Sequence, residues 1–333
     1  MAKRTLWGFL LILALLNGCE SSIGIMKKEV EQATKEINEY FVYAREAAEK
    51  IASEMEELLK NKDKYDLSID KMDYEKGGKY RFYEKTMYYK ATNDGGAAFC
   101  ATGAIAVNNE IKRRIRLLEN MEPLLKKISR EAIVYFILGQ NTLGMSYPFI
   151  DFISSLPPKL DYRKFPWYYL ADEKHNPEKR VVWMDFPFVV LHGGGWVCDV
   201  LKPVYYKNKL EAVVCNEVYL TTLARKFFQN KDSILLLVTG QSSVIGASPM
   251  ARKELKIKVL REYEYLQQIK ENRFVQEEYN LTYKDNPSDI QELGRRISTE
   301  KYFDITINGK RYYVYKSALP EQTNLMIIGL SRK

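Results

Sequence analysis

The sequence predicts an α+β protein in which a long N-terminal helix precedes two tandem modules, each built around an antiparallel sheet. Three observations predict it. Residues 25–62 contain neither Pro nor Gly and repeat apolar residues at helical spacing. An order of strands followed by a helix then occurs twice. Near the end, Asn308-Gly309 sits between alternating runs, the strongest short hairpin signal.

The chain opens with Lys3 and Arg4, an apolar run from Leu6 to Leu16, and Leu16-Asn17-Gly18-Cys19. That is the layout of a secretory signal, and its end looks like a bacterial lipobox. Residues 1–18 are expected to be a signal peptide and Cys19 the lipidated residue. The apolar run is well short of the ~20 residues that span a bilayer. The expected location is therefore exported and membrane-anchored, facing the periplasm or cell exterior. The formal charge of +8 falls to +6 once Lys3 and Arg4 are removed, with acids and bases interspersed along the chain. This is a mixed soluble surface, not a nucleic-acid stripe.

In residues 19–63, taken as anchor and stalk, Val30, Ile37, Ala44, Ile51 and Leu58 recur every seven residues, with Ala33, Tyr40, Phe41, Ala48 and Met55 as a second line. At 1.5 Å per residue the helix reaches roughly 55–60 Å, long enough to serve more than one domain. About 315 residues after the signal suit two domains, expected at 64–230 and 231–333.

Within the first module, residues 63–92 read as loop and short strand, and Ala97–Val107 as a strand. Asn108–Arg130 reads as a helix that Pro123 should kink or end early. Strand-like runs follow at Ala132–Gly139 and Leu143–Ile150. Gly195–Tyr206 and Leu210–Val218 flank Lys207-Asn208-Lys209 as a hairpin, and Tyr219–Asn230 reads as a short helix. In the second module, Ser233–Thr239 and Ser243–Ala247 are strands, followed by a charged helical stretch from Arg252 into about Glu271. Tyr302–Ile307, Arg311–Ser317 and Asn324–Leu330 complete it as three antiparallel strands.

Enzyme motifs fail in turn. Gly240-Gln241-Ser242-Ser243-Val244 lacks the second Gly of a nucleophile elbow, and neither a P-loop nor a dinucleotide fingerprint is present. Two histidines, His175 and His192, and no CxxC do not make up a common zinc ligand set. No catalytic residue, cofactor or metal is expected. Cys198 and Cys215 lie on neighbouring strand-like runs. A turn at Lys207-Asn208 keeps them from direct opposition, so the pairing of Cys100, Cys198 and Cys215 stays open.

The run Phe165-Pro166-Trp167-Tyr168-Tyr169-Leu170-Ala171 is followed by Asn176-Pro177, Trp183, Pro187-Phe188, Lys202-Pro203-Val204-Tyr205 and Leu210-Glu211-Ala212-Val213-Val214. In that order these elements resemble the membrane-distal module of double-Cache domains, the extracytoplasmic sensing part of many chemoreceptors and kinases. The resemblance spans most of residues 25–333 and is densest over 145–220. It implies two PAS-like antiparallel-sheet modules behind a long helix, with a small ligand bound in the distal one. Amino-acid-sensing members carry Arg-x-Trp-Tyr there and a later Asp for the ligand amine. Here Trp167-Tyr168 matches the aromatic pair, Phe165 stands at the Arg position, and Glu217 corresponds to the Asp. The resemblance, so altered, favours a cationic amine or another small metabolite over an α-amino acid.

The candidate ligand-binding residues are Trp167, Tyr168, Trp183, Asp185, Trp196, Glu217, Tyr147 and Asp151. Trp167 and Tyr168 wall a pocket or close the core. Trp183 and Trp196 do the same or pack against the hairpin. Asp185 follows a loop, and Tyr147 and Asp151 flank Pro148 at the expected rim. Glu217 follows an apolar stretch, so it needs a partner, either a ligand amine or Arg163 or Lys164. The leading expectation is a lipid-anchored sensor that passes its signal to a separate protein partner and binds no nucleic acid. The alternatives are a solute-binding lipoprotein serving a transporter, and a ligand-free interaction module.

Overall fold

A computed structural model describes residues 21–68, 73–75, 85–90, 97–102, 108–128, 134–137, 146–147, 161–184, 187–190, 195–258, 277–322 and 324–333. Cys19, Asp151 and Asp185 lie outside these residues, as do the loop 191–194 and most of the charged stretch after Lys258.

The first helix, α1, runs unbroken from Ser22 to Lys60. Its buried stripe is Met26, Val30, Ala33, Ile37, Phe41, Ala44, Ala48, Ile51 and Met55, ending on Leu59 rather than Leu58. A strict seven-residue repeat drifts around a helix of 3.6 residues per turn, which moves the last contact by one position. No described helix is long and apolar enough to cross a membrane.

Two compact units divide the chain. The described residues up to Asn38 belong with Ala224–Val259 and Glu277–Lys333, whereas Glu39–Leu223 form the larger unit.

In the larger unit, β1 (Asp73–Glu75), β2 (Lys85–Lys90) and β3 (Ala97–Thr102) make a three-stranded antiparallel sheet. Helix α2 spans Asn109–Ile128 and continues through Pro123. Its buried Leu117, Leu118, Met121, Leu125 and Ile128 lie on both sides of the proline and hold the last turns helical. The main sheet contains β4 (Val134–Ile137), β5 (Ser146–Tyr147), β6 (Val182–Trp183), β7 (Phe188–Val190), β8 (Gly195–Tyr206) and β9 (Lys209–Tyr219). Its order is β5-β4-β9-β8-β6, with β7 also pairing with β8. A short helix, α3, covers Pro166–Tyr169, and α4 (Leu220–Phe228) follows β9.

The hairpin between β8 and β9 turns on Lys207 and Asn208, whose φ angles of 49° and 60° define a two-residue primed turn. One residue of bulge, at Val204/Tyr205, shifts the register for the rest of the hairpin. Cys198 faces Val218 and Cys215 faces Leu201 across it, and both are buried and outside any disulfide.

The smaller unit is a five-stranded antiparallel sheet. Its strands are β10 (Ile234–Thr239), β11 (Val244–Ala247), β12 (Tyr302–Ile307), β13 (Lys310–Ala318) and β14 (Leu325–Arg332), in the order β11-β10-β14-β13-β12. Asn308 and Gly309 again supply positive φ, 51° and 73°, at the β12–β13 turn. The expected charged helix begins earlier, as α5 (Pro249–Leu255). It stops where Lys256 adopts φ 52°, a left-handed conformation that ends the helix. Helix α6 (Ser288–Thr299) was not anticipated, although Ile290, Leu293, Gly294 and Ile297 bury one face at helical spacing. It packs on β10, β12, β13 and β14 through a core that includes Leu236, Val238, Ile305 and Ile328. The start of α1 lies on β14. A Cβ at Gly329 would stand 2.4 Å from Met26 Sδ and 2.5 Å from Val30 Cγ2.

Candidate functional site

Side chains alternate across a strand, so the β8–β9–β4 register sorts the main sheet into two faces. One face carries Val200, Asn216 and Val134 in a row. It is turned toward α1, because Asn216 donates from Nδ2 to the Ala44 carbonyl at 3.1 Å. Trp183 is paired with Val200 and lies with its ring centroid 5.0 Å from that of Phe41. Tyr147 is paired with Val134 and is buried. Trp196, two residues before Cys198 and four before Val200, shares this face, and its backbone N–H donates to Thr221 Oγ1 at 2.8 Å. Trp183, Trp196 and Tyr147 therefore gather on the helix side.

The opposite face collects Val197, Asp199 and Leu201 from β8, Cys215, Glu217 and Tyr219 from β9, and Tyr135 from β4. The segment 161–171 lies over it and contributes Tyr162, Phe165, Trp167 and Ala171 to one apolar cluster with Val197, Leu201 and Cys215, with Tyr168 packed against it. Phe165 and Trp167 stack with centroids 4.9 Å apart and planes 2° from parallel. The Trp167 carbonyl accepts from Cys215 Sγ at 3.7 Å. Of the expected site residues, Trp167, Tyr168 and Glu217 are brought together here.

At the centre of this face Asp199 and Glu217 occupy directly opposed positions. Asp199 is 0% exposed and Glu217 5%. Tyr135 donates its hydroxyl to Asp199 Oδ2, and Tyr219 donates to Glu217 Oε2 at 3.1 Å. Asp199 Oδ1 is buried with no hydrogen-bond partner among the described residues. Burial pushes the Asp199 carboxyl up to about 7, against which the Tyr135 hydrogen bond works. Burial first, and the Asp199 charge second, push Glu217 well above the usual carboxylate range. The same acids and the same burial raise the Tyr135, Tyr219 and Cys215 ionisations.

Arg163 and Lys164, the side chains expected as partners of Glu217, are both exposed. Arg163 is held by Asp161, with Nε donating to Oδ1 at 2.9 Å and Nη2 to Oδ2 at 3.1 Å. Asp199, Tyr135 and Tyr219 were not anticipated. The signal for Asp199 was an acid inside the otherwise apolar run Trp196–Leu201. Such a group must find a partner or stay protonated.

No family model matches the chain, and no curated protein sequence does. Among solved structures, the chain is similar to the ligand-binding domain of the Pseudomonas aeruginosa amino-acid chemoreceptor PctC in complex with GABA. That comparison has 13% identity over 92% of this chain and 96% of the other, with a TM-score of 0.48. It is similar also to the sensory domain of the Campylobacter jejuni chemoreceptor Tlp3 with isoleucine bound, at 12% identity, 92% and 95% coverage and a TM-score of 0.41. The ligand-binding domain of Mlp24 with asparagine matches at 18% identity, 60% and 68% coverage and a TM-score of 0.40.

Proposed function

We propose that the chain is an extracytoplasmic sensor, tethered through a lipid on Cys19, that binds a small cationic amine on the Asp199–Glu217 face and passes its signal to a separate protein partner. The observation that carries the reading is a buried carboxylate pair on the sheet face that Trp167 and Tyr168 pack over, with Asp199 Oδ1 left without a hydrogen bond among the described residues. A buried acceptor of that kind costs stability until a donor reaches it. An ammonium offers three donors and one positive charge, and aromatic ring faces attract cations. The arrangement suits binding rather than turnover, because both acids sit in a strand-to-strand pair with tyrosines as partners, and burial keeps the neighbouring Cys215 thiol protonated. The run Lys3–Cys19 supports the tether and the exported location.

The test is a thermal-shift screen of the protein against amines, amino acids, carboxylates, purines and short peptides. A ligand at a hundredfold excess over its dissociation constant adds about 2.7 kcal/mol to stability. The expected hit is an amine whose effect disappears in Glu217→Gln or Trp167→Ala. A flat screen with a well-folded protein would count against the sensor. Palmitate labelling that is lost in Cys19→Ser checks the tether.

A further inference from the structure

Two carboxylates at opposed positions of an antiparallel pair have Cα atoms only about 5 Å apart. In a low-dielectric interior two ionised groups at that spacing repel strongly, and each has also lost its hydration. Asp199 and Glu217 are in this position on the sheet face beneath segment 161–171. The described titratable and charged groups packed around them come from three elements. Strand β4 gives Tyr135, and β9 gives Cys215 and Tyr219. The covering segment gives Tyr162 and Tyr168 toward the face, and Arg163 and Lys164 toward solvent.

Both nearest tyrosines spend their protons as donors, Tyr135 to Asp199 Oδ2 and Tyr219 to Glu217 Oε2. Asp199 Oδ1 is left as a buried acceptor with no hydrogen bond among the described residues. A proton held between the two acids relieves the repulsion and supplies that missing donor.

We propose that Asp199 and Glu217 share one proton while the site is empty, and that the ligand's ammonium takes its place and sends the proton to solvent. The exchange rests on the amine-binding reading above. It balances in charge: the singly protonated pair carries one negative charge, and so does the doubly ionised pair with an ammonium bound. Ligand affinity is then linked to pH. It rises by about tenfold per pH unit while the empty pair holds the proton, and levels off once the empty pair loses it unaided. Raised acidity outside the cell would silence the sensor without touching the ligand.

The experiment uses the full chain in detergent, with n-butylamine and putrescine as probes. Infrared spectra of the empty protein near neutral pH are expected to contain the C=O stretch of a neutral carboxylic acid. The double variant Asp199→Asn/Glu217→Gln, which preserves size and shape, is expected to lack it. Should that variant fail to fold, Tyr135→Phe assigns the band instead, by shifting its frequency through the lost hydrogen bond. Adding either amine should bleach the band. Calorimetry in two buffers of unlike ionisation enthalpy should read one proton released per amine bound. An empty protein without the band, a band unchanged when amine is bound, or a proton count of zero overturns the exchange. Uptake of neither amine overturns it too. If a non-cationic ligand then stabilises the protein while the band persists, the sensor survives and the exchange does not.

Discussion

Asn216 donates from Nδ2 to the carbonyl of Ala44, joining the middle of β9 to the middle of α1 at 3.1 Å. The next residue, Glu217, points the other way, into the acid pair. One strand thus fixes the helix with one side chain and the candidate site with the next. Asn216 is 1% exposed, so Asn216→Ala removes a buried hydrogen bond and leaves a small cavity. The expected cost is about 1–3 kcal/mol, read as a lower urea midpoint with an unchanged slope.

The acid pair makes stability depend on pH in the direction opposite to a salt-bridged carboxylate. In the unfolded chain Asp199 and Glu217 titrate near their ordinary values, about 4. In the folded chain burial raises both, Asp199 to about 7 and Glu217 well above its usual range. Between those limits the native state binds more protons than the unfolded state, so stability falls as pH rises from about 4 through about 7. The loss over that span is expected to be a few kcal/mol. Asp199→Asn should reduce the slope and Asp199→Asn/Glu217→Gln should flatten it, and denaturant melts at several pH values check both.

A second steric contact lies in the smaller unit. A Cβ at Gly246 on β11 would stand 2.2 Å from the Cβ of Ala224 on α4. Gly246→Ala is expected to cost about 1–3 kcal/mol by overpacking. Ala224→Gly in the same molecule should recover part of that loss, because it removes the atom in the way. A double-mutant cycle measured by thermal unfolding gives the coupling.

Cys198 and Cys215 are buried, and each thiol is satisfied by a carbonyl, that of Met184 at 3.6 Å and that of Trp167 at 3.7 Å. Burial, with Asp199 nearby, also raises the Cys215 thiol well above its ordinary value. A thiolate is the reactive form. Iodoacetamide should therefore leave both residues unmodified in the native protein and label them in denaturant, read peptide by peptide. A reductant should not change the labelling or the melting temperature.

Much of the architecture was legible because its signals are local. The Pro- and Gly-free stretch of α1 and the positive-φ pairs Lys207-Asn208 and Asn308-Gly309 are each read from consecutive residues. The site was legible only in part, because the side a strand residue takes depends on register. Counting back from the Lys207-Asn208 turn without a bulge places Asn216 opposite Asp199. The bulge at Val204/Tyr205 moves Glu217 there instead. The same counting could not tell that Trp183 packs on Phe41 while Trp167 joins Val197, Leu201 and Cys215 on the face of the acid pair. Tyr135 comes from a strand 64 residues away from Asp199, beyond any local pattern. Helix α6 did carry its signal in Ile290, Leu293 and Ile297, and a period search over 285–300 finds it.

The contact of Met26 and Val30 with Gly329 sets an order of events during synthesis. The first described turns of α1 pack on β14, a strand made about three hundred residues later. Residues 39–223, the bulk of the larger unit, precede β10 to β14 in the chain. Domains generally fold as units as they emerge. Met26 and Val30 must therefore wait, uncovered on that side, until β14 arrives. Deleting Leu325–Arg332 would uncover Met26 and Val30, although none of the candidate-site residues lies in that strand.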